Sequence, residues 1–162
     1  WAGDVAKLNR GETTMADSTL LEQYKALIGD VGNIGTRYAT ANGFYLSIVS
    51  ALLGVVAFTE SGKPLAQVDL VLVLTVAAFA IVVCHVWIKT LAFYRGLFGV
   101  KLQLLGEMEK ELAFPAFSRE HELMKERGVR PLIDNEIWVP RVLWVFFAVI
   151  AATALALIFV DG

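Results

Sequence analysis

The chain has 162 residues, of which 57% are hydrophobic and 19% are charged, and its formal net charge is −2. A mean hydropathy of +0.62 is too high for an ordinary soluble domain, in which roughly 45–50% of residues are apolar, and the acidic balance argues against a nucleic-acid partner. The single cysteine, Cys84, excludes an internal disulfide.

The first predicted elements are polar. Residues 1–18 are interpreted as a polar N-terminal leader, and Met15 is a candidate natural start, which would make residues 1–14 a leader or an expression remnant. Residues 19–37 have apolar side chains at helical spacing. Thr19, with Glu22 three residues later, fits a capping box. The pattern therefore predicts a cytoplasmic amphipathic helix over 19–37 that starts at Thr19.

Three stretches without a charged residue follow, at 38–59, 70–88 and 142–160. Each is close to the roughly 20 residues that a helix needs to cross the hydrocarbon core. We expect transmembrane helices 1, 2 and 3 at these positions, and a buried soluble helix bundle is the less favoured alternative. None of the three stretches has the basic start and cleavage site of a signal peptide.

The segments between these spans differ strongly in charge. Residues 60–69, predicted to be an external turn, have only Lys63, whereas residues 89–141 have nine Lys and Arg and residues 1–37 have four. The positive-inside rule then places the N-terminus and 89–141 in the cytoplasm and the C-terminus outside. The prediction is a single-domain, all-α polytopic membrane protein of the bacterial inner (cytoplasmic) membrane, with a periplasmic C-terminus.

The cytoplasmic region 89–141 is predicted to be helical. Apolar residues form one stripe over 91–112, so the second span should continue as one helix until Pro115 ends it. A short helix follows, with Ser118 as its expected N-cap and Gly128 as its expected stop.

No catalytic chemistry is predicted. His85 and His121 have no ligand partners at metal-binding spacing, and no phosphate loop or nucleophile motif is present. We therefore expect no enzyme activity, no cofactor and no metal.

Small residues recur at four-residue spacing in two spans, where close helix approach stabilises association in lipid. Such faces pack either within one subunit or between subunits, and the pattern favours neither. The candidate packing residues are Gly43, Ser47, Ser50, Ala51 and Gly54 in span 1, and Ala148, Ala152 and Ala156 in span 3.

The stretch before span 3, PLIDNEIWVPRV, is rich in polar residues. Asp134 or Asn135 is expected to cap the helix, and Glu136 to lie in its first turn. Trp138 suits the membrane interface, and Arg141 can extend towards headgroups. A pair between Glu136 and Arg37 is a further hypothesis. The polar residues expected to be structural or to lie at interfaces are Arg37, Asn42, Glu136 and Arg141.

Three separated stretches give the chain a family resemblance: RYATANGFYLSIVSALLGVVAF, YRGLFGVKLQLLGEMEKELAFPAF and REHELMKERGVRPLIDNEIWVP. They resemble the RipA-type family of octameric bacterial inner-membrane proteins over roughly residues 20–145. The matching residues are Arg37, Tyr38, Ala41, Asn42, Tyr94, Arg95, Lys101, Met108, Glu109, Leu112, Pro115, Glu136, Val139 and Pro140.

The chain departs from that pattern at Phe98, where the family has Asn, at Ala113 and Phe114 before Pro115, and at His121, which replaces Trp. The resemblance implies a homo-octamer without a settled biochemical activity. A looser likeness to two-span effectors of bacterial defence systems points towards a pore.

The leading hypothesis is a non-enzymatic, homo-oligomeric membrane ring whose amphipathic cytoplasmic helices, 19–36 and 91–112, pack between subunits. Its expected partners are other copies of the chain and membrane lipids. One alternative is an ion or small-solute channel. Another is a scaffold that recruits a cytoplasmic protein through the charged surface of residues 107–127.

Overall fold

A computed structural model describes residues 2–59, 67–112, 114–128 and 136–160, with side chains described from Ser18 onward. All regular structure in these ranges is helical, which confirms the all-α prediction. The helices are α1 (Ala2–Thr59), α2 (Gln67–Glu109), α3 (Ala116–Glu126) and α4 (Trp138–Val160).

Three of the helices, α1, α2 and α4, are long and apolar enough to cross a membrane. This confirms the number of predicted spans. The second span does continue as one helix into the charged region, because α2 runs without a break from Gln67 to Glu109. The third membrane-capable helix, α4, begins at Trp138, four residues before the predicted charge-free stretch.

Two predicted helix boundaries are wrong. The capping box at Thr19 does not start a helix, because α1 begins at Ala2 and Thr19 therefore lies inside it. The α2 helix ends at Glu109 and is followed by a turn, so Pro115 does not end it directly. Asp134 and Asn135, the predicted caps of span 3, lie outside the described residues.

The chain clusters into two compact units, where the sequence predicted a single domain. The charged unit comprises Trp1–Thr36 and Gly96–Arg130, and the span unit comprises Arg37–Arg95 and Pro131–Gly162. All three charge-free stretches belong to the span unit.

Helix α2 contributes the longest buried stripe of the span unit. Its buried residues alternate at spacings of three and four, the pattern by which nearly parallel helices pack. They are Leu70, Val73, Ala77, Ala80, Cys84, Trp87 and Leu91. Small side chains in the middle of the stripe, at Ala77, Ala80 and Cys84, allow neighbouring helices to come close.

The other two helices of the span unit bury residues at a related spacing. Tyr38, Val49 and Val56 are buried on α1. Pro140, Phe147 and Ala154 are buried on α4, seven residues apart. Pro140 is tolerated because it lies in the first turn, where its missing N–H has no partner within the helix.

Candidate functional site

A cluster of polar and aromatic side chains joins the three segments of the span unit. Tyr38 and Asn42 lie on the same face of α1 because they are four residues apart. The Tyr38 hydroxyl and the Asn42 Nδ2, the latter at 3.1 Å, both donate to Oε2 of Glu136. Glu136 lies immediately before α4. A carboxylate with two donors from α1 therefore attaches the start of α4 to α1.

The side-chain amide of Asn42 also connects α1 to α2. Trp87 Nε1 donates to Asn42 Oδ1 at 2.8 Å. Asn42 therefore accepts a hydrogen bond from α2 and donates one to Glu136, just before α4. We call Tyr38, Asn42, Trp87 and Glu136 the Glu136 cluster. Hydrogen bonds to an ionised carboxylate are stronger than bonds between neutral groups, and polar bonds between helices stabilise association in an apolar medium.

Aromatic rings enclose this cluster. The Tyr45 ring stacks on Trp87 with centroids 5.9 Å apart, and the Tyr94 ring meets Tyr38 edge to face at 5.8 Å. The Tyr45 hydroxyl shares a 3.1 Å hydrogen bond with Thr90 Oγ1. Trp87, Thr90 and Tyr94 share one face of α2 because they recur at spacings of three and four. The rings reduce water access to the polar bonds, which strengthens those bonds.

A second carboxylate, Glu109, organises the charged unit. Only 2% of Glu109 is exposed, yet its side chain accepts four hydrogen bonds. The donors are the Tyr24 hydroxyl at 2.7 Å, the Ser118 hydroxyl at 2.6 Å, and the backbone N–H groups of Phe117 at 2.6 Å and Ser118 at 2.8 Å. Glu109 therefore joins the end of α2 to α1 and to α3.

Glu109 also provides the N-terminal cap of α3. The residue at the N-cap position is Pro115, which makes no side-chain cap bond, so the prediction that Ser118 is the N-cap is wrong. The free N–H groups of the first turn are satisfied by the carboxylate of the preceding helix instead. At the other end, Gly128 has φ +68°, a left-handed conformation that suits glycine. This confirms Gly128 as the stop.

Both Glu109 and Tyr24 lie outside the charge-free stretches, and their contacts shift their pKa values. Burial opposes ionisation of Glu109, but its four hydrogen bonds outweigh that effect and lower the pKa from 4.5 to about 2. Burial, together with the hydrogen bond to the Glu109 carboxylate, raises the pKa of Tyr24 to about 12. The pair is therefore a phenol donating to a carboxylate over a wide range of pH.

The predicted small-residue faces are largely uncovered within one chain. Ser47, Ser50 and Ala51 are exposed, as are Ala152 and Ala156, whereas Ala148 is half-buried. A Cβ at Gly43 or Gly54 would have no atom within 4 Å beyond the adjacent residues and the nearby backbone of α1 itself. The Ser47 hydroxyl donates to the Gly43 carbonyl at 2.8 Å, so it is satisfied within its own helix.

The remaining predicted polar residues are dispersed. Glu136 takes hydrogen bonds from Tyr38 and Asn42, and its pairing with Arg37 across a contact stays a prediction. Arg37 is exposed. The Arg141 guanidinium lies 5.8 Å from the ring centroid of Trp138, a cation–π contact at the start of α4.

The described residues contain no group of three or more His, Cys, Asp or Glu side chains arranged to hold a metal ion. His85 and His121 are both exposed. A groove of about 390 Å³ in the charged unit is lined by Leu102, Gln103, Gly106, Phe117, Ser118, His121 and Glu122.

Residues that carry the family resemblance meet in these two clusters. Tyr38, Asn42 and Glu136 come together in the span unit, and Glu109 is the central acceptor of the charged unit. Sequence reasoning missed Tyr24, Trp87 and Ser118 as partners. Ser118 was predicted only as an N-cap, and Tyr24 lay on an apolar stripe and so resembled a packing residue.

The chain belongs to a class of α-helical integral membrane proteins. In particular, the model of the octameric membrane protein family (8xMP) matches residues 21–156, and the chain is a member of that family. This confirms the resemblance to octameric membrane proteins. No curated protein and no solved structure matches the chain.

Proposed function

We propose that this protein is a non-enzymatic subunit of a homo-oligomeric ring in the bacterial cytoplasmic membrane. Family membership and three membrane-capable helices support a membrane oligomer. The observation that carries the ring is the set of small faces that the single chain leaves uncovered.

The small face of α1 lies away from the packed core of the span unit. Ser47 is two residues from the buried Val49, so the two side chains point in nearly opposite directions around the helix. Gly43, Ser50 and Gly54 share the side of Ser47 at spacings of three and four. An uncovered face of Gly and Ser suits another helix better than it suits lipid, because close backbone approach increases van der Waals contact.

Helix α4 offers a second, different small face. Ala152 and Ala156 are exposed and lie away from the buried Phe147 and Ala154. A ring formed by rotation needs two unlike faces on each subunit, one that meets the preceding copy and one that meets the next. Pairing of the α1 face with the α4 face of a neighbour supplies such a heterologous contact.

The charged unit also leaves apolar side chains uncovered. Leu21 and Ile28 on α1 and Leu104 on α2 are each more than two-fifths exposed. In the proposed ring, the segments 19–36 and 91–112 pack between subunits and cover these side chains. The positive-inside rule supports a cytoplasmic helical layer formed by this unit.

The test is subunit number in variants that enlarge one small face. Gly43 is exposed, and a Cβ added there would meet no other helix, so we expect Gly43→Leu to keep the fold while it blocks contact between subunits. We expect the wild type to be an oligomer by mass measurement in detergent and the variant to be mainly dissociated. Val82→Leu, at an exposed position of α2, is the matched control and should leave the mass unchanged.

Cross-linking in native membranes tests the pairing itself. In a Cys84→Ala background, Ser47→Cys combined with Ala152→Cys should give a ladder of disulfide-linked species. A monomeric wild-type protein would overturn the ring. A ladder absent from the Ser47/Ala152 pair but present for two positions of α2 would overturn the proposed pairing of faces.

A further inference from the structure

The cations of the span unit gather at the end that contains the Glu136 cluster. Arg37 immediately precedes the charge-free stretch 38–59, Lys89 immediately follows 70–88, and Arg141 immediately precedes 142–160. All three side chains are exposed. We call these three residues, one from each membrane-capable helix, the basic collar.

Contacts within the span unit place the collar residues at similar depth. Tyr38, which follows Arg37, donates to Glu136, which lies five residues before Arg141. Thr90, which follows Lys89, bonds to Tyr45, whose ring stacks on Trp87 of the Glu136 cluster. The three cations therefore surround one polar cluster.

At this end of the span unit, the basic side chains outnumber the acidic ones among the described residues. Among the described residues of the span unit the acids are Glu136 and Asp69. Asp69 lies in the first turn of α2, at the opposite end of the charge-free stretch. Glu136 already accepts hydrogen bonds from Tyr38 and Asn42. The described residues at this end therefore present three exposed cations and one half-buried acid.

The position of the collar, where the apolar stretches end, is the depth of lipid headgroups in a bilayer. Arg141 is held against Trp138, which is 61% exposed. A guanidinium held in this way presents paired donors that match phosphate oxygens. Cations at the membrane surface attract anionic lipids.

We propose that the basic collar selectively binds the phosphate headgroups of anionic phospholipids in the leaflet at that end. This site uses no residue of the small faces through which α1 and α4 are proposed to join neighbouring subunits. It is expected on a monomer as well as on a ring, so its failure and the failure of the ring are measured independently.

The test compares the binding of phosphatidylglycerol and phosphatidylcholine to the full-length detergent-solubilised protein, measured by native mass spectrometry with equimolar lipids. The wild type should retain several-fold more phosphatidylglycerol. In the Arg37→Gln/Lys89→Gln/Arg141→Gln variant this preference should be largely lost, because the cations that attract the anionic headgroup are gone. Subunit mass and helical content, recorded on the same samples, show whether the variant is folded.

Two matched variants separate local charge from other effects. Arg37→Lys/Arg141→Lys keeps the charges and should keep most of the preference. Lys25→Gln/Arg119→Gln/Lys125→Gln removes three exposed cations from the charged unit and should leave the preference unchanged. A wild type without preference, or an equal loss in the second variant, would overturn the proposal. Displacement of the lipid by inorganic phosphate, at ionic strength matched with chloride, would show a site for free phosphate and also overturn it.

Discussion

Each unit of the chain is organised around one glutamate, but the two glutamates are used differently. Glu109 is almost fully buried and accepts four hydrogen bonds from two other helices, α1 and α3. Glu136 is half-buried, and both bonds that it accepts from described residues go to one oxygen, Oε2. A buried carboxylate is stable only when its acceptor positions are filled. In the charged unit one carboxylate accepts the polar bonds that join three helices, whereas the span unit combines polar bonds with a long apolar stripe.

We expect Glu109→Ala to cause the largest loss of stability. The substitution leaves the Tyr24 and Ser118 hydroxyls and two backbone N–H groups of α3 without their acceptor. We expect the charged unit to lose about 3 kcal/mol of stability. Hydrogen exchange of residues 116–126 should accelerate strongly, while exchange in α4 should change little. Unchanged protection of α3 would show that the cap is dispensable.

A smaller effect is expected for Glu136→Leu, because the apolar stripe of α2 continues to hold the span unit. Loss of the acceptor leaves the Tyr38 hydroxyl and one Asn42 donor unsatisfied, at about 1–2 kcal/mol. The thermal unfolding midpoint in detergent measures the loss. Glu136→Gln retains an acceptor oxygen and should lose less. A loss from Glu136→Leu greater than that from Glu109→Ala would reverse the comparison between the units.

The stability of the charged unit should depend on pH, because the pKa of Glu109 is lowered. Its stabilising contribution is fully present above its ordinary pKa of 4.5 and is lost as the pH falls towards about 2. The unfolding midpoints of wild type and Glu109→Gln should therefore differ most near neutral pH and converge as the pH approaches 2. Tyr24 has the opposite sign: its contribution is present below pH 10 and is lost as the pH rises through about 12. A midpoint difference independent of pH would argue that the carboxylate charge does not hold the cap.

The smallest expected effect is that of the ion pair between Lys101 and Asp30 in the charged unit. Lys101 is 21% exposed and Asp30 is 51% exposed, so water and salt screen their attraction. Asp30→Asn should lower stability by less than about 1 kcal/mol. The difference from wild type should shrink further in high salt, as measured by unfolding in denaturant. A loss comparable to that of Glu109→Ala would contradict the ranking.

The sequence was sufficient to predict the helical class, the three spans and the continuation of α2. Each of these predictions depends on the composition and on the spacing of apolar residues within one segment of the chain. The partners of Glu136 could not be predicted in this way, because Tyr38 is 98 positions away in the chain and periodicity relates only near neighbours. The sequence suggested the charged residue Arg37 as a partner of Glu136. In the structure, the phenol of the neighbouring Tyr38 on α1 donates to the Glu136 carboxylate.

The buried stripe of α2 was also missed, and the reason is general for membrane helices. Nearly every residue between Leu70 and Ile88 is apolar, so polarity does not distinguish the packed face from the lipid face. Size gives a partial signal, since Ala77, Ala80 and Cys84 are small and fully buried. Larger neighbours such as Phe79 and Val82 are exposed.

The alternation of three and four along α2 limits how the length of this protein can change. One residue inserted between Ala80 and Cys84 would turn everything after it by about 100°. Trp87 would then swing away from Asn42 while Leu70 and Val73 kept their places. An insertion of three or four residues comes closer to a full turn, so local unwinding or overwinding of the helix, as at stutters in coiled coils, can absorb the remainder. Within this stretch, related chains should therefore differ in length by whole helical turns, and single-residue insertions should be rare.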